Sequence, residues 1–160
     1  MNILSAINKA NQLLKSKGVA SSKLDCEILI SKVLRINRAN MILNINKDLT
    51  TDQLSDFNDL VEQRSKKKPI AYLIGKKEFW KYQFYVNKDV LIPRPDTELI
   101  VEKVLELTKN KLSLNFLEIG VGSGCIILSI LKERKNYYGT GIDISKKSLE
   151  ICKINSNNLG

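Results

Sequence analysis

A chain of 160 residues, 43% apolar and 27% charged, has the make-up of a globular protein and suffices for one ordinary domain or two small ones. It has no histidine, and its three cysteines, Cys26, Cys125 and Cys152, show no CxxC spacing, so a histidine-based triad is excluded, no metal is expected and the thiols read as reduced and buried. No apolar run approaches the 18 residues of a membrane helix, and residues 1–20 read as an amphipathic helix instead of a signal peptide; the expected location is the cytoplasm, with no membrane partner.

The net charge of +9 invites a nucleic-acid reading, but its distribution disfavours one. Of 26 basic residues 21 are lysines, and Lys, Ile and Asn, whose codons can be built from A and T alone, supply 55 positions. Residues 1–75 carry 12 basic and 7 acidic groups and residues 76–160 carry 14 and 10, so the charge is spread and not gathered on one face.

In chain order, Ile3, Ile7, Ala10 and Leu13–Leu14 recur with a helical period that Gly18 stops. Ser22 with Asp25 reads as a capping box opening a second helix, with Leu24, Ile28, Leu29, Val33 and Leu34 on its core face. A short apolar piece covers Ala39 to Leu43. Thr50 with Gln53 opens another helix that turns Leu54, Phe57, Leu60 and Val61 inward. Arg64 and Lys66–Lys68 follow, where cations complement a helix dipole. Residues 1–75 are thus expected to form a small helical bundle that docks a partner.

The period then changes. Tyr82, Phe84 and Val86 alternate with Gln83 and Tyr85, and Asn87-Lys88-Asp89 supplies a turn before Val90–Ile92, so residues 76–92 are expected to form a β-hairpin connector. In Pro93-Arg94-Pro95-Asp96-Thr97-Glu98 two prolines stiffen the backbone. Asp96 is expected to cap a helix bearing Leu99, Ile100, Val101, Val104 and Leu105. Beyond a loop at 110–115 lies the most informative stretch. An apolar strand meets Gly120-Val121-Gly122-Ser123-Gly124, and a helical pattern runs from Cys125 to about Arg134. A second strand, Tyr137 to Ile142, ends at Asp143, nineteen residues past Gly124, and Ser145 is placed to cap a last helix with Leu149, Ile151, Cys152 and Ile154 on its stripe. A glycine turn with an acid about 20 residues on is the layout of a nucleotide-type cofactor site in a doubly wound α/β fold.

The choice of cofactor rests on local chemistry. The spacing departs from the dinucleotide fingerprint, with Gly at 124 and Cys at 125. Glu118, two residues before the first glycine, would repel a pyrophosphate and suits a cofactor with positive charge. S-adenosylmethionine fits: its carboxylate takes loop N–H groups, and Asp143 accepts from both ribose hydroxyls. The expected binding residues are Gly120, Val121, Gly122, Ser123, Gly124 and Asp143.

Three motifs, Leu91-Ile92-Pro93-Arg94-Pro95-Asp96-Thr97-Glu98, Leu117-Glu118-Ile119-Gly120-Val121-Gly122-Ser123-Gly124 and Gly141-Ile142-Asp143-Ile144-Ser145, resemble those of the bacterial release-factor glutamine methyltransferases, the HemK/PrmC family. Pro69-Ile70-Ala71-Tyr72-Leu73-Ile74-Gly75 followed by Glu78-Phe79-Trp80 is similar to that family as well. The resemblance runs the length of the chain in the same order. It implies an α/β protein: helical docking domain at 1–75, β-hairpin connector at 76–92, and at 93–160 the first two strands of a class I S-adenosylmethionine-dependent, Rossmann-like methyltransferase domain. It implies methylation of the glutamine side-chain amide in the Gly-Gly-Gln motif of class 1 peptide chain release factors; separately, a monomer is expected. The family's catalytic Asn-Pro-Pro-Tyr has no counterpart, since the three prolines, Pro69, Pro93 and Pro95, include no Asn-Pro pair. No catalytic residue is therefore assigned, and the chain is expected to be a truncated, N-terminal portion of such an enzyme. The alternatives are an inactive module that binds release factor, or a fragment of a nucleic-acid amino-methyltransferase.

Overall fold

A computed structural model describes residues 1–160. The chain is an α/β protein with eight α-helices and two two-stranded sheets, divided into compact units at Met1–Ile74 and Gly75–Gly160.

The first unit is helical: α1 (Ile3–Ser16), α2 (Ser22–Leu34), α3 (Arg38–Leu43), α4 (Thr51–Ser65) and α5 (Ile70–Ile74). Ile3, Ala6, Ile7, Ala10 and Leu14 return to one face of α1 at steps of three and four, and that face is buried against Leu29, Ile30, Met41, Phe57 and Val61. Asn2 caps α1, its side-chain oxygen accepting the Ser5 N–H at 2.9 Å. Gly18 takes a left-handed φ of +68° after the helix, the conformation its stop signal calls for. The capping box at α4 is present: the Gln53 N–H donates to Thr50 Oγ1 at 3.2 Å, and the Thr50 N–H to Gln53 Oε1 at 3.0 Å.

The start of α2 departs from expectation. No side chain caps it, and Leu24 faces solvent while Asp25, Cys26, Leu29 and Ile30 face inward. Asp25 is drawn into the core by Arg64, whose Nε donates to Asp25 Oδ2 at 2.6 Å, and the Ser21 hydroxyl donates to the same oxygen. Ser22 donates instead to Asn11 Oδ1. The carboxylate is 3% exposed and the guanidinium 16%, so Arg64 neutralises a buried charge and does more than complement the α4 dipole. A charge-assisted bond to a buried guanidinium outcompetes a solvated cap. Burial also pushes the Cys26 thiol up to about 12, with Asp25 and Glu27 adding to the shift, which leaves it an inert packing group.

The second unit begins with a hairpin whose turn lies upstream of the expected position. Strands β1 (Lys76–Phe79) and β2 (Tyr82–Tyr85) pair antiparallel, Phe79 facing Tyr82, across the two-residue loop Trp80–Lys81. Trp80 adopts φ +56°, a strained region for a bulky residue. Carboxylates hold it there: its backbone N–H donates to Glu98 Oε1 at 2.9 Å and its indole N–H to Glu133 Oε1 at 3.1 Å. Neither residue of this loop is one of the Gly, Asn or Asp types that mark such turns, so the sequence carries no local signal for it. Asn87–Asp89 forms a local turn, the Asp89 N–H donating to Asn87 Oδ1, and Val90–Ile92 is not a strand.

Helix α6 (Glu98–Leu107) follows a short 3-10 turn at Pro95–Thr97. Asp96 does not cap it, and Leu99 and Ile100 are exposed; Val101 is its buried residue, with Val104 and Leu105 packed at the core's margin. The 3-10 turn places the helix start past Asp96. Strand β3 (Asn115–Ile119) lies parallel to β4 (Tyr138–Ile142), Phe116 opposite Gly139 and Ile119 opposite Ile142. Between them runs α7 (Cys125–Glu133), and α8 (Lys146–Leu159) closes the chain, with Ser145 as its N-cap. One sheet face is packed so tightly under α7 that a Cβ on Gly139 would sit 2.7 Å from Ile127 Cδ1. On the other face Leu117 and Ile119 stand 61% and 78% exposed, with Tyr138 and Ile142 beside them.

Candidate cofactor site

The turn from β3 to α7 is left-handed at each of its three glycines, with φ of +79°, +53° and +80° at Gly120, Gly122 and Gly124. Only glycine adopts that conformation three times without strain. The positions differ in what surrounds them. A Cβ at Gly124 would fall 2.7 Å from Cys152 Sγ and 2.8 Å from Leu128 Cδ1, so this glycine lets α7 and α8 close on the turn. A Cβ at Gly120 would meet nothing within 4 Å, so this glycine borders open space.

The backbone amides of the turn are largely engaged within the protein. Gly120 and Val121 both donate to Ile142 O, at 2.8 and 3.0 Å, and Gly124 donates to Val121 O at 2.8 Å. The Gly122 N–H donates to Asp143 Oδ2 at 2.9 Å, while Asp143 Oδ1 accepts the Ser145 N–H at the same distance. These two bonds, Ser145 first, hold the Asp143 carboxyl below its usual value, so it is ionised at neutral pH. Asp143 thus stands beside the glycine turn and fixes its middle residue. Each carboxylate oxygen has further lone-pair capacity for a hydroxyl.

Glu118 has a structural partner. Its Oε2 accepts the Ile127 N–H at 3.0 Å, so it caps the third residue of α7 from the strand below. Burial pushes its carboxyl up to about 7, against the lowering effect of that bond. Cys125, beside it, has its thiol raised to about 11, chiefly by burial.

Asn155 is the residue of this region that the sequence did not mark. It lies on α8, 1% exposed, and its Nδ2 donates to Ser123 O at 2.8 Å and to Tyr85 O at 3.0 Å while its Oδ1 accepts the Tyr85 N–H at 2.6 Å. The available signal was its spacing: Ser148, Ile151 and Asn155 form the buried stripe of α8, so polar residues occupy core positions.

Residues 5–75 match the family model described as the PrmC N-terminal domain. The chain is 34% identical to the release factor glutamine methyltransferase of Caulobacter vibrioides over 99% of this chain and 55% of that protein. It is 38% identical to the one from Leptospira interrogans over 97% and 54%, and 44% identical to the one from Buchnera aphidicola subsp. Baizongia pistaciae over 89% and 52%. This chain is a relative of the release factor glutamine methyltransferases. It spans about half the length of the curated relatives it matches. The glycine turn and Asp143 fall within the span aligned to the methyltransferase of Caulobacter vibrioides, beyond the PrmC N-terminal domain match. No group of three or more Cys, Asp or Glu side chains is arranged to hold a metal ion, and no helix is long and apolar enough to cross a membrane.

Proposed function

We propose that residues 120–124 and Asp143 form the S-adenosylmethionine wall of a methyltransferase that acts on the glutamine side-chain amide in the Gly-Gly-Gln motif of class 1 release factors. The observation that carries the cofactor part is the triple left-handed glycine turn, open at Gly120 and bound at Gly122 by an ionised carboxylate. The relatives' names supply release factor and glutamine, and the Gly-Gly-Gln amide of class 1 factors follows from the motif resemblance alone. Gly120, Val121, Gly122, Ser123 and Gly124 would border the amino-acid end of the cofactor. Asp143 would hold the ribose hydroxyls, since a carboxylate fixed by two backbone N–H groups is a preorganised acceptor. The cofactor supplies an electrophilic methyl group. The chain's residues contribute position: Asp143 fixes the middle of the turn through Gly122, and Glu118 fixes the first turn of α7 through Ile127.

The helical unit is assigned to docking the release factor. In support, a groove of about 470 Å³ is lined by Ala6, Ala10, Leu13, Leu54 and Val61, with Lys9 and Glu62 among its polar groups. The sequence contains no Asn-Pro pair, and these 160 residues by themselves are expected to bind S-adenosylmethionine without methylating a release factor.

Isothermal calorimetry of the 160-residue chain with S-adenosylmethionine tests the reading. A binding heat is expected, weakened more than about tenfold by Asp143→Ala, the loss of charge-assisted bonds being worth more than 1.4 kcal/mol. No heat at millimolar cofactor, or a heat that Asp143→Ala leaves unchanged, refutes it.

A further inference from the structure

The side-chain amide of Asn155 does what a neighbouring strand would do. It exchanges a donor and an acceptor bond with one residue, Tyr85, and so mimics a backbone pairing at the end of β2. Its second N–H reaches Ser123 O inside the glycine turn. Both donors are used, and the orientation of the amide is fixed by its partners: flipped, it would set its oxygen against two carbonyls. At 1% exposure, Asn155 has no water to bond to in the closed structure, so losing a partner there leaves a buried polar group unsatisfied. The peptide it holds at Ser123 leads straight into Gly124, whose N–H closes the turn on Val121 O. Phe84 and Val86, on either side of Tyr85, are fully buried, so a shift at Tyr85 is resisted by the core of the hairpin.

We propose that Asn155 is a positioning residue that locks the glycine turn to the β1–β2 hairpin, so that a ligand seated on the turn tightens the hairpin at Tyr85. The clamp is a property of the fold alone; its response to ligand rests on the S-adenosylmethionine reading above. Restraint of Ser123 reaches Tyr85 through a single side-chain amide. A ligand that orders the turn therefore lowers the opening frequency of the Tyr85 pairing.

Amide hydrogen exchange on the full chain tests both parts. Without ligand, Asn155→Leu, which keeps the number of side-chain heavy atoms and removes all three bonds, is expected to speed exchange at Tyr85 and Gly124 together by about tenfold, the scale of a lost net hydrogen bond. The Ile127 N–H, which is held by Glu118, is expected to stay unchanged. Asn155→Asp keeps an acceptor for the Tyr85 N–H but loses the donors to Ser123 O and Tyr85 O and sets a carboxylate oxygen against both carbonyls. It is expected to loosen Gly124 more than Tyr85, and it serves as the probe where the leucine variant does not fold. With saturating S-adenosylmethionine, the wild-type chain is expected to slow exchange at Tyr85 several-fold, and the variants to lose that gain. Gly124 exchange that neither variant changes overturns the clamp. A calorimetric binding heat with no slowing at Tyr85 in the wild-type chain overturns the response to ligand. Absence of any heat counts against the cofactor reading and removes the ligand response with it, while the ligand-free comparison still decides the clamp.

Discussion

The two units solve the burial problem differently. The helical unit brings the inward stripes of α1, α2 and α4 together around Leu14, Leu29, Ile30, Met41 and Phe57, all essentially without solvent contact. The α/β unit seals one face of its parallel sheet beneath α7 and leaves Leu117, Ile119, Tyr138 and Ile142 in water on the other. Parallel sheets are ordinarily covered on both faces, so the bare face is a departure that the helical unit does not share. The difference separates residues by the penalty of changing them. A buried apolar side chain of the first unit is a structural element, whereas one on the outer sheet face contributes little to the fold as it stands.

Substitutions turn this contrast into magnitudes. Phe57→Ala, at a fully buried position, is expected to cost about 3–5 kcal/mol and to unfold the helical unit, read as lost helical ellipticity in a urea titration. Within the second unit the glycine turn is the rigid part. Gly124→Ala combines a left-handed φ with a Cβ driven against Cys152 and Leu128, and is expected to cost about 2–4 kcal/mol. Gly120→Ala meets open space and should cost only the backbone strain, about 1–2 kcal/mol. Trp80, the sole tryptophan, lies in this unit, so its fluorescence in thermal melts ranks the two variants. A Gly120→Ala loss as large as that of Gly124→Ala would break the distinction between the open and closed ends of the turn.

A third expectation concerns pH. The Glu118 carboxyl is raised from 4.5 to about 7, chiefly by burial, so the folded state holds its proton more firmly than the unfolded chain. The contribution is fully present below about 4.5 and is lost as pH rises through about 7. Glu118→Gln keeps the acceptor for the Ile127 N–H and should flatten the stability profile between those values, measured as urea midpoints from pH 4.5 to 8. The smallest effect belongs to the bare sheet face. Ile119→Lys is expected to change stability by no more than about 0.5 kcal/mol while raising solubility. A loss near that of Phe57→Ala would show that the face is covered in solution.

Legibility cut across the two units and followed instead how far away in sequence a residue's partner lies. The Thr50–Gln53 box was readable because both partners lie within one turn of helix, and no tertiary competitor reaches them. Ser22 with Asp25 has the same local look, yet Arg64, 39 residues away in sequence, claims the carboxylate. The glycine turn was readable because three left-handed residues within five positions strongly favour glycine at each. The hairpin turn at Trp80–Lys81 was not, because its left-handed residue is held by Glu98 and Glu133 and not by its own chemistry. Glu118 was read as electrostatics toward a cofactor; its nearest partner is the amide of Ile127.

By itself, then, the sequence determined the helical periods of the first unit, the strand–glycine turn–helix unit with its acid at Asp143, and a kinship that the comparisons carry through both units. These are features written within a few residues or fixed by residue type. Tertiary structure alone decided which carboxylate caps which helix, where the hairpin folds back, that Asn155 ties Ser123 to Tyr85, and which face of the sheet stays open. Each of those is a competition among partners distant in the chain, won by burial and geometry that no local pattern contains.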